Sequence, residues 1–527
     1  MIPPSSCGVL VVGSGNAGFS AAISAAQSGA GSVLLIDKCP ESWTGGNSYF
    51  TAGAYRIAHD GLASILPLVS NVSSEQAERI DLEPYTEADF ARDMRTVCGG
   101  RSDPELSRVL VEDSGDAVRW LARNGVRFWL SFNRQAYEVD GRTKFWGGLC
   151  LRTPDGGKSL IADLQASAAQ HGVTTSFSTA LVDLRYQGSD GVVATVRCDD
   201  GRRHEITARA VILAAGGFEA SPSLRSQYLG PGWDMAYVRG TPYNTGDVLE
   251  LAVRSLGAQT FGNWSSCHSV AWDASASTDP NAGDREASNE YTKSGYPLGL
   301  MLNAEGQRFV DEGVDLRNYT YAKFGRAILS QPGHLAFQVW DSQTSGMLRA
   351  EEYRPERAEH ITGRTIEELA KACADKGLLD AEAFVRTVHE YNEAVYAHRR
   401  ENPSARFDPS MKDGLSTQSS GKRLSLAKSN WALPLDQGPF LAVKVTCGVT
   451  FTFGGLRVDP QTAQLLSPGG GKIPRVYCCG EMLGGLFYGN YPGGSGLTSG
   501  TVFGRRAGRA AAAAAAAVEE EGDLVRS

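Results

Sequence analysis

Three glycines, at positions 13, 15 and 18, stand between an apolar run and an alanine-rich stretch in CGVLVVGSGNAGFSAAISAAQSGAGSVLLIDK. A polyphosphate could use that spacing. Gly13 permits a tight turn, Gly15 lets a pyrophosphate reach bare backbone, and Gly18 lets a helix lie against a strand. Asn16 and Ala17 open that helix, whose N–H groups and positive dipole end would face the phosphates. Asp37 ends the second apolar run, Ser32 to Ile36, and supplies an acceptor for ribose hydroxyls; Lys38 follows it.

Other segments place glycine where a flat or charged ligand needs close approach. ESWTGGNSYFTAGAYRIAHD holds Gly45, Gly46, Asn47 and Ser48. ARAVILAAGGFEAS runs from a strand into Ala215 and Gly216, and GEMLGGLFYGNYPGGSGLTSG (480–500) carries Glu481, Ser495 and Leu497. The last lies between an apolar run (VYCC) and a helix former with eight alanines at 510–517, so it does not read as a linker. A nicotinamide domain would continue with further strand–helix units. Contacts from four separated segments suit the longer FAD.

The elements that must position these residues are bounded by composition. A chain of 527 residues predicts two to four domain-sized units. The net charge of −8, with no basic block, excludes nucleic acid as a main partner while leaving room for a local positive pocket. Ten cysteines show no CxxC and no metal-ligand spacing with histidine, which predicts no metal site and a reducing compartment. MIPPSSCGVLVVGSG lacks the basic region of a signal peptide, and its apolar run is far short of a membrane span, so a soluble cytoplasmic protein is expected. TIEELAKACADKG and DAEAFVRTVHEYNEAVYAHRREN read as helices, the latter with Ala383, Val385, Val388, Tyr391 and Val395 on one side. EEEGDLVRS reads as a solvated tail.

GSGNAG (13–18), TGGNS (44–48), ILAAGGF (212–218), NTGD (244–247), LNAEGQRFVDE (302–312) and the 480–500 stretch together resemble the flavoproteins that include fumarate reductases, succinate dehydrogenases and 3-ketosteroid dehydrogenases. GGNSYFTAGAYRIAHD, WSSCHSVAWD and VDEGVDLRNYTYAKFG are most similar to the tricarballylate dehydrogenase subgroup. The resemblance implies an α/β fold: a Rossmann-like FAD-binding domain of glutathione-reductase type, residues 1–258 and 437–527, with an inserted α+β capping domain, 259–436. By analogy Gly45 to Ser48 line the isoalloxazine and Glu481 holds ribose or ribitol hydroxyls. Gly493 to Leu497 bring backbone to the flavin's pyrimidine edge, and the following helix aims its N-terminus there.

The same resemblance makes Arg317 the group that transfers a proton, five residues beyond Glu312 where the fumarate reductases use four. Glu312 and Asp315 are its nearest acids in sequence. His268 matches a substrate-binding histidine, Arg56 a carboxylate clamp, and Tyr319 is a candidate by adjacency to Arg317. Two anion contacts of the fumarate reductases are missing, because Thr450, Phe451 and Tyr491 occupy their places. Phe451, Phe453, Phe487, Tyr488 and Tyr491 predict a more aromatic pocket. The expected function is FAD-dependent introduction of a C=C bond beside a carboxylate. The reverse reduction, a ketosteroid-type desaturation of a keto or aromatic substrate, and a flavin-binding subunit without chemistry remain open alternatives. The partners expected are a small carboxylate or keto substrate and a separate electron donor or acceptor.

Ser48-Tyr49-Phe50-Thr51 replaces the segment in which membrane-bound relatives attach FAD to a histidine, so FAD is expected to dissociate. Acid precipitation should leave the yellow colour in the supernatant; a yellow pellet would contradict this.

Overall fold

A computed structural model describes residues 3–187, 191–276, 279–287 and 289–526. An eight-stranded and a six-stranded sheet dominate it. The first sheet takes β1 (Ser6–Val12), β2 (Val33–Ile36), β3 (Thr174–Ser176), β4 (Thr179–Gln187), β5 (Gly191–Cys198) and β6 (Arg203–Leu213). The second takes β7 (Tyr237–Val238), β8 (Thr260–Asp273), β9 (Leu300–Asn303), β10 (Ala336–Trp340), β11 (Ile361–Gly363) and β12 (Phe440–Leu456). The chain then returns to the first sheet with β13 (Gln464–Leu466) and β14 (Lys472–Cys478).

Parallel pairing runs β14–β6–β1–β2–β3, which is a Rossmann-like core. Val9 to Val12 are buried, as expected of a parallel strand covered on both faces. β6 is shared: Arg203 to Ala208 pair antiparallel with β5, while Val211 to Leu213 pair in parallel with β14. In the second sheet β12 pairs with β7, β8, β10 and β11, so it is the spine of that sheet. Its residues 440–449 run among the cap strands, and residues 450–453 reach the cleft described below.

Small residues let the layers meet at backbone distance. The first helix, α1 (Asn16–Gln27), packs along the last, α6 (Ser495–Arg526), with α2 (Pro104–Arg123) on α6's flank. A Cβ on Gly504 would come within 2.7 Å of the Ala17 carbonyl oxygen, and one on Gly508 within 2.4 Å of that of Ala21. Arg505 and Arg506 pair with Asp116 and Asp113 of α2 at 3.0 and 2.7 Å. The segment expected to be a solvated tail continues α6 as helix through Arg526, because nothing between Ala510 and Arg526 breaks it. α3 (Asp247–Leu256) precedes β8, and α4 (Tyr321–Leu329) lies on β8. α5 (Ala381–Glu401) buries Ala383, Val388, Tyr391 and Val395, leaving Val385 at the margin of that face.

All ten cysteines are unpaired and buried. Among the described residues no helix is long and apolar enough to cross a membrane.

Gly18 carries the sharpest packing demand of the first turn, since an added Cβ would sit 1.9 Å from the Gly13 carbonyl oxygen. Gly18→Ala should cost about 1–3 kcal/mol of stability and lower Tm. Gly346→Ala, at a site with nothing within 4 Å, is the control that should leave Tm unmoved. Equal Tm values for the two variants would refute the packing argument.

Candidate active site

A continuous cleft starts at the β1–α1 turn, passes between the two sheets and ends under the turn that precedes α4. Gly13, Gly15, Asn16, Ala17, Asp37, Lys38, Gly46, Asn47, Ser48, Ala215, Gly216, Glu481 and Leu497 all line it. Gly18, Gly45 and Ser495 do not. Gly18 is packed behind the turn; a Cβ on Gly45 would meet Ile161 at 2.7 Å; Ser495 is buried with its hydroxyl on the Pro492 carbonyl.

At the phosphate end, Gly13 has a left-handed φ of 109° and passes so close to Ala214 that a Cβ would lie 2.3 Å from its oxygen. Gly15 instead faces open space, where a Cβ would meet only Ser48 Oγ at 3.6 Å and the Gly45 oxygen at 3.7 Å. The residue before α1, Gly15, has no side chain to cap it, and of the first-turn amides that of Asn16 is taken by the Ser48 hydroxyl at 3.1 Å, so the rest of the turn is available to an anion. Asp37 is held facing the cleft: its Oδ2 accepts from the Ser14 amide and hydroxyl, both at 2.7 Å. Lys38 turns to Asp247 at 2.7 Å. Asn16 joins α1 to α6, its Nδ2 donating to the Leu497 carbonyl at 2.9 Å.

The far end is where substrate chemistry would occur. His268 is buried in an aromatic cage, stacked 5.5 Å from Phe451 and edge-on to Tyr321 and Tyr491 at 5.0 Å each. Neither ring nitrogen has a partner. Burial, and then the Arg239 charge, push its pKa well below the ordinary histidine value, so the folded ring is neutral. Tyr321 and Tyr491 share a hydroxyl–hydroxyl bond, and Phe453 and Phe487 complete the wall.

Arg317 begins a short turn, Arg317–Tyr319, and lines the cleft. Glu312 and Asp315 are not its partners in the cleft: Glu312 is buried against Arg308 and accepts the Met301 amide at 2.9 Å, and Asp315 faces Lys412 at 3.6 Å. The acid that lines the cleft with Arg317 is Glu352, fully buried, which accepts from the Ser294 amide and hydroxyl at 2.9 and 2.6 Å and from Arg349 at 3.1 Å. Sequence spacing could not have found it, because Glu352 arrives 35 residues later on a separate short helix, Ala350–Tyr353. Arg239, bonded to the Thr450 hydroxyl at 3.2 Å, was also missed, although it stands just before the NTGD motif. Asn318 was missed too. It is buried, it lines the cleft, and neither atom of its amide has a partner.

Arg56 and Tyr319 lie beside the cleft, not in its lining. The Arg56 guanidinium is completely buried and donates to the Gly493 carbonyl at 2.9 Å, to the Tyr85 hydroxyl at 2.8 Å and to Asp93 at 3.2 Å. Tyr319 and Tyr85 both donate to Asp93, and Tyr319 lies under the guanidinium at 5.1 Å. Burial opposes the Arg56 charge, but Tyr85, Tyr319 and Asp93 raise its pKa above the ordinary arginine value. Arg56 thereby ties to the 490–494 turn through Gly493 and to the turn carrying Arg317 through Asp93 and Tyr319, while its buried Nη2 has no partner.

The residues present fit a bound dinucleotide. Glycines open the backbone where a phosphate would lie, the helix opens on a glycine that offers no side-chain cap of its own, and polar atoms of Gln135, His268, Thr292 and Asn318 are orphaned along the lining. A family model described as FAD binding domain matches residues 8–497. The chain belongs to this family. FAD binding domain relatives that it resembles include the probable fumarate reductase Ifc3 of Shewanella frigidimarina, 28% identical across 96% of this chain and 75% of that protein. Another is 4-oxocyclohexanecarboxylate 2-dehydrogenase of Sinomonas cyclohexanicum, 29% identical across 96% and 93%. Among solved structures, the open conformation of a flavocytochrome c3 fumarate reductase superposes with a TM-score of 0.69 at 26% identity, over 97% of this chain and 79% of that one. The protein is an FAD-dependent oxidoreductase that acts on CH–CH bonds.

The neutral state of His268 has a pH consequence. Between its lowered folded pKa and the unfolded value of about 6.5, the unfolded chain binds the extra proton, so stability falls as pH drops through that window. Urea unfolding at about pH 7 and about pH 5.5 should show a loss on acidification that shrinks in His268→Gln. An equal loss in both proteins would mean His268 is already protonated when folded.

Proposed function

We propose that this protein interconverts a saturated acid and its unsaturated counterpart, removing or adding two hydrogens across a C–C bond next to a carboxylate. The observation that carries this reading is Arg317 lining the cleft beside the unpartnered amide of Asn318, with buried Glu352 lining the same end. Arg239, Arg317 and Arg349 make this end cationic within a chain of net charge −8. Bound FAD supplies the hydride acceptor or donor; Gly13, Gly15, Asn47, Ser48, Asp37 and Glu481 are the residues that would hold it, without a covalent link.

Arg239 and the Asn318 amide would bind the carboxylate, and the neutral His268 would donate an N–H to it. Arg317 would hold or receive the proton at the carbon adjoining the carboxylate. Its intrinsic pKa is very high, so it needs a neighbour to exchange with, and Glu352, fixed by Ser294 and Arg349, fills that place. The aromatic wall excludes water and would face the remainder of the substrate, which favours an acid bearing a ring over a bare dicarboxylate. The carboxylate and ring ketone in the name of the Sinomonas relative support the same class. A second reading, desaturation beside a ketone, is favoured by the Tyr321–Tyr491 hydroxyl pair, which could donate to a carbonyl oxygen. A polycarboxylate such as tricarballylate is supported by the three arginines. Electrons would enter or leave through a separate partner, and ten unpaired cysteines support a cytoplasmic setting.

Anaerobic flavin bleaching tests these readings together, across cyclic keto acids, aryl-substituted acids, tricarballylate and neutral ketones. Bleaching by a carboxylic acid is expected, with Arg317→Ala slower by about 10²–10⁴ and Glu352→Gln impaired at the same step. Bleaching by neutral ketones alone would overturn the carboxylate reading.

A further inference from the structure

A buried and a half-buried carboxyl group meet in the wall of the cleft. Glu219 follows the Gly216-Gly217-Phe218 turn after β6, and Glu481 follows β14; neither β6 nor β14 brings a cation to them. Glu219 is fully buried, and its Oε1 accepts from the side-chain amides of Asn47 and Asn244, the latter at 2.6 Å. No donor reaches its Oε2. Glu481 lines the cleft and is differently served: its Oε1 accepts from the Thr452 amide at 2.7 Å and the Thr452 hydroxyl at 3.0 Å. The Asn244 amide spans the two acids, lying 3.5 Å from Glu481 Oε2. A Cβ on Gly217 would come 2.2 Å from Glu481 Oε1, so glycine is what allows the carboxyl to sit there.

Two ionised carboxylates this close, one of them wholly buried, repel strongly. The titratable groups that face Glu219 are Glu481, Arg225 and the buried thiol of Cys267. Arg225 makes no ion pair with either carboxyl group: its guanidinium donates to the backbone carbonyls of Glu219, Trp233 at 2.9 Å and Ala236 at 3.1 Å, and it acts on Glu219 only through its charge. A proton between the acids relieves their repulsion. The donor inventory favours Glu219 as its carrier: each acid has one oxygen that accepts two donors, but Glu481 Oε2 still has the Asn244 amide at 3.5 Å, while Glu219 Oε2 receives none and is free to carry an O–H.

We propose that Glu219 is a positioning residue that stays protonated, its Oε2–H donating to Glu481 so that the Glu481 carboxylate is fixed for a hydroxyl of the FAD polyol chain. This rests on the reading that the cleft holds FAD. Burial, and then the neighbouring Glu481 charge, push the Glu219 pKa well above the ordinary carboxyl range, in keeping with the geometry.

The test uses the holoenzyme. An infrared difference spectrum, wild type minus Glu219→Gln, should show a protonated carboxylic acid carbonyl at about pH 8, far above the ordinary glutamic acid value of about 4.3. In fluorescence titration of deflavinated protein, Glu219→Gln, whose amide can donate as the acid does, should keep the FAD Kd within about threefold. Glu219→Ala should raise it about tenfold or more, the loss expected for one charge-assisted hydrogen bond. Absence of the acid band in wild type, or a Gln variant as weak as the Ala variant, overturns the proposal; if Ala fails to fold, the band and the Gln titration still decide it. A wild-type protein that takes up no FAD refutes the FAD reading itself, whereas FAD bound equally by all variants refutes only the role of Glu219.

Discussion

Backbone pressed against backbone is the constraint from which the cleft follows. Gly13 lies against Ala214, Gly18 against Gly13, Gly504 against Ala17 and Gly508 against Ala21, each at a separation no side chain permits. These contacts bring β1, β6, α1 and α6 into one tight bundle, so that four segments distant in sequence open onto the same face. Gly15 is the exception within the motif. It is spared for a ligand, and the difference between it and Gly18 is the difference between binding and packing.

The substrate end obeys a different rule. Charge in a buried site needs a partner, and the fold supplies two kinds. Arg56 is surrounded by Asp93, Tyr85, Tyr319 and the Gly493 carbonyl, which take the hydrogen bonds of its Nε and Nη1 and leave Nη2 without a partner. Arg317 and Arg349 both line the cleft, as does one buried acid, Glu352, which pairs with Arg349 and is anchored by Ser294.

Much of the architecture was legible because the phosphate-end residues sit close together in sequence and serve local geometry. The turn, both strands and the uncapped helix at residues 6–37 follow from apolar runs and glycine spacing, and the later glycine-rich segments announce close approach. The substrate end was less legible. Glu352, Arg239 and Asn318 are single residues brought in by tertiary folding from three places, with no periodicity to mark them. Sequence adjacency favoured Glu312 and Asp315, yet the chain direction after β9 sends both away from the cleft. Arg56 sits in a recognisable motif, but motif membership does not tell whether a side chain points into a cavity or into the core.

The turn bearing Arg317 is fastened at several points to the cofactor half: Gly493 donates to the Asn318 carbonyl, Asn490 to the Tyr319 carbonyl, and the Tyr319 hydroxyl to Asp93. Lifting this turn would strand a half-buried carboxylate, Asp93, and an enclosed guanidinium, Arg56, at once, so the turn is held in register with the glycine-rich segment that it faces.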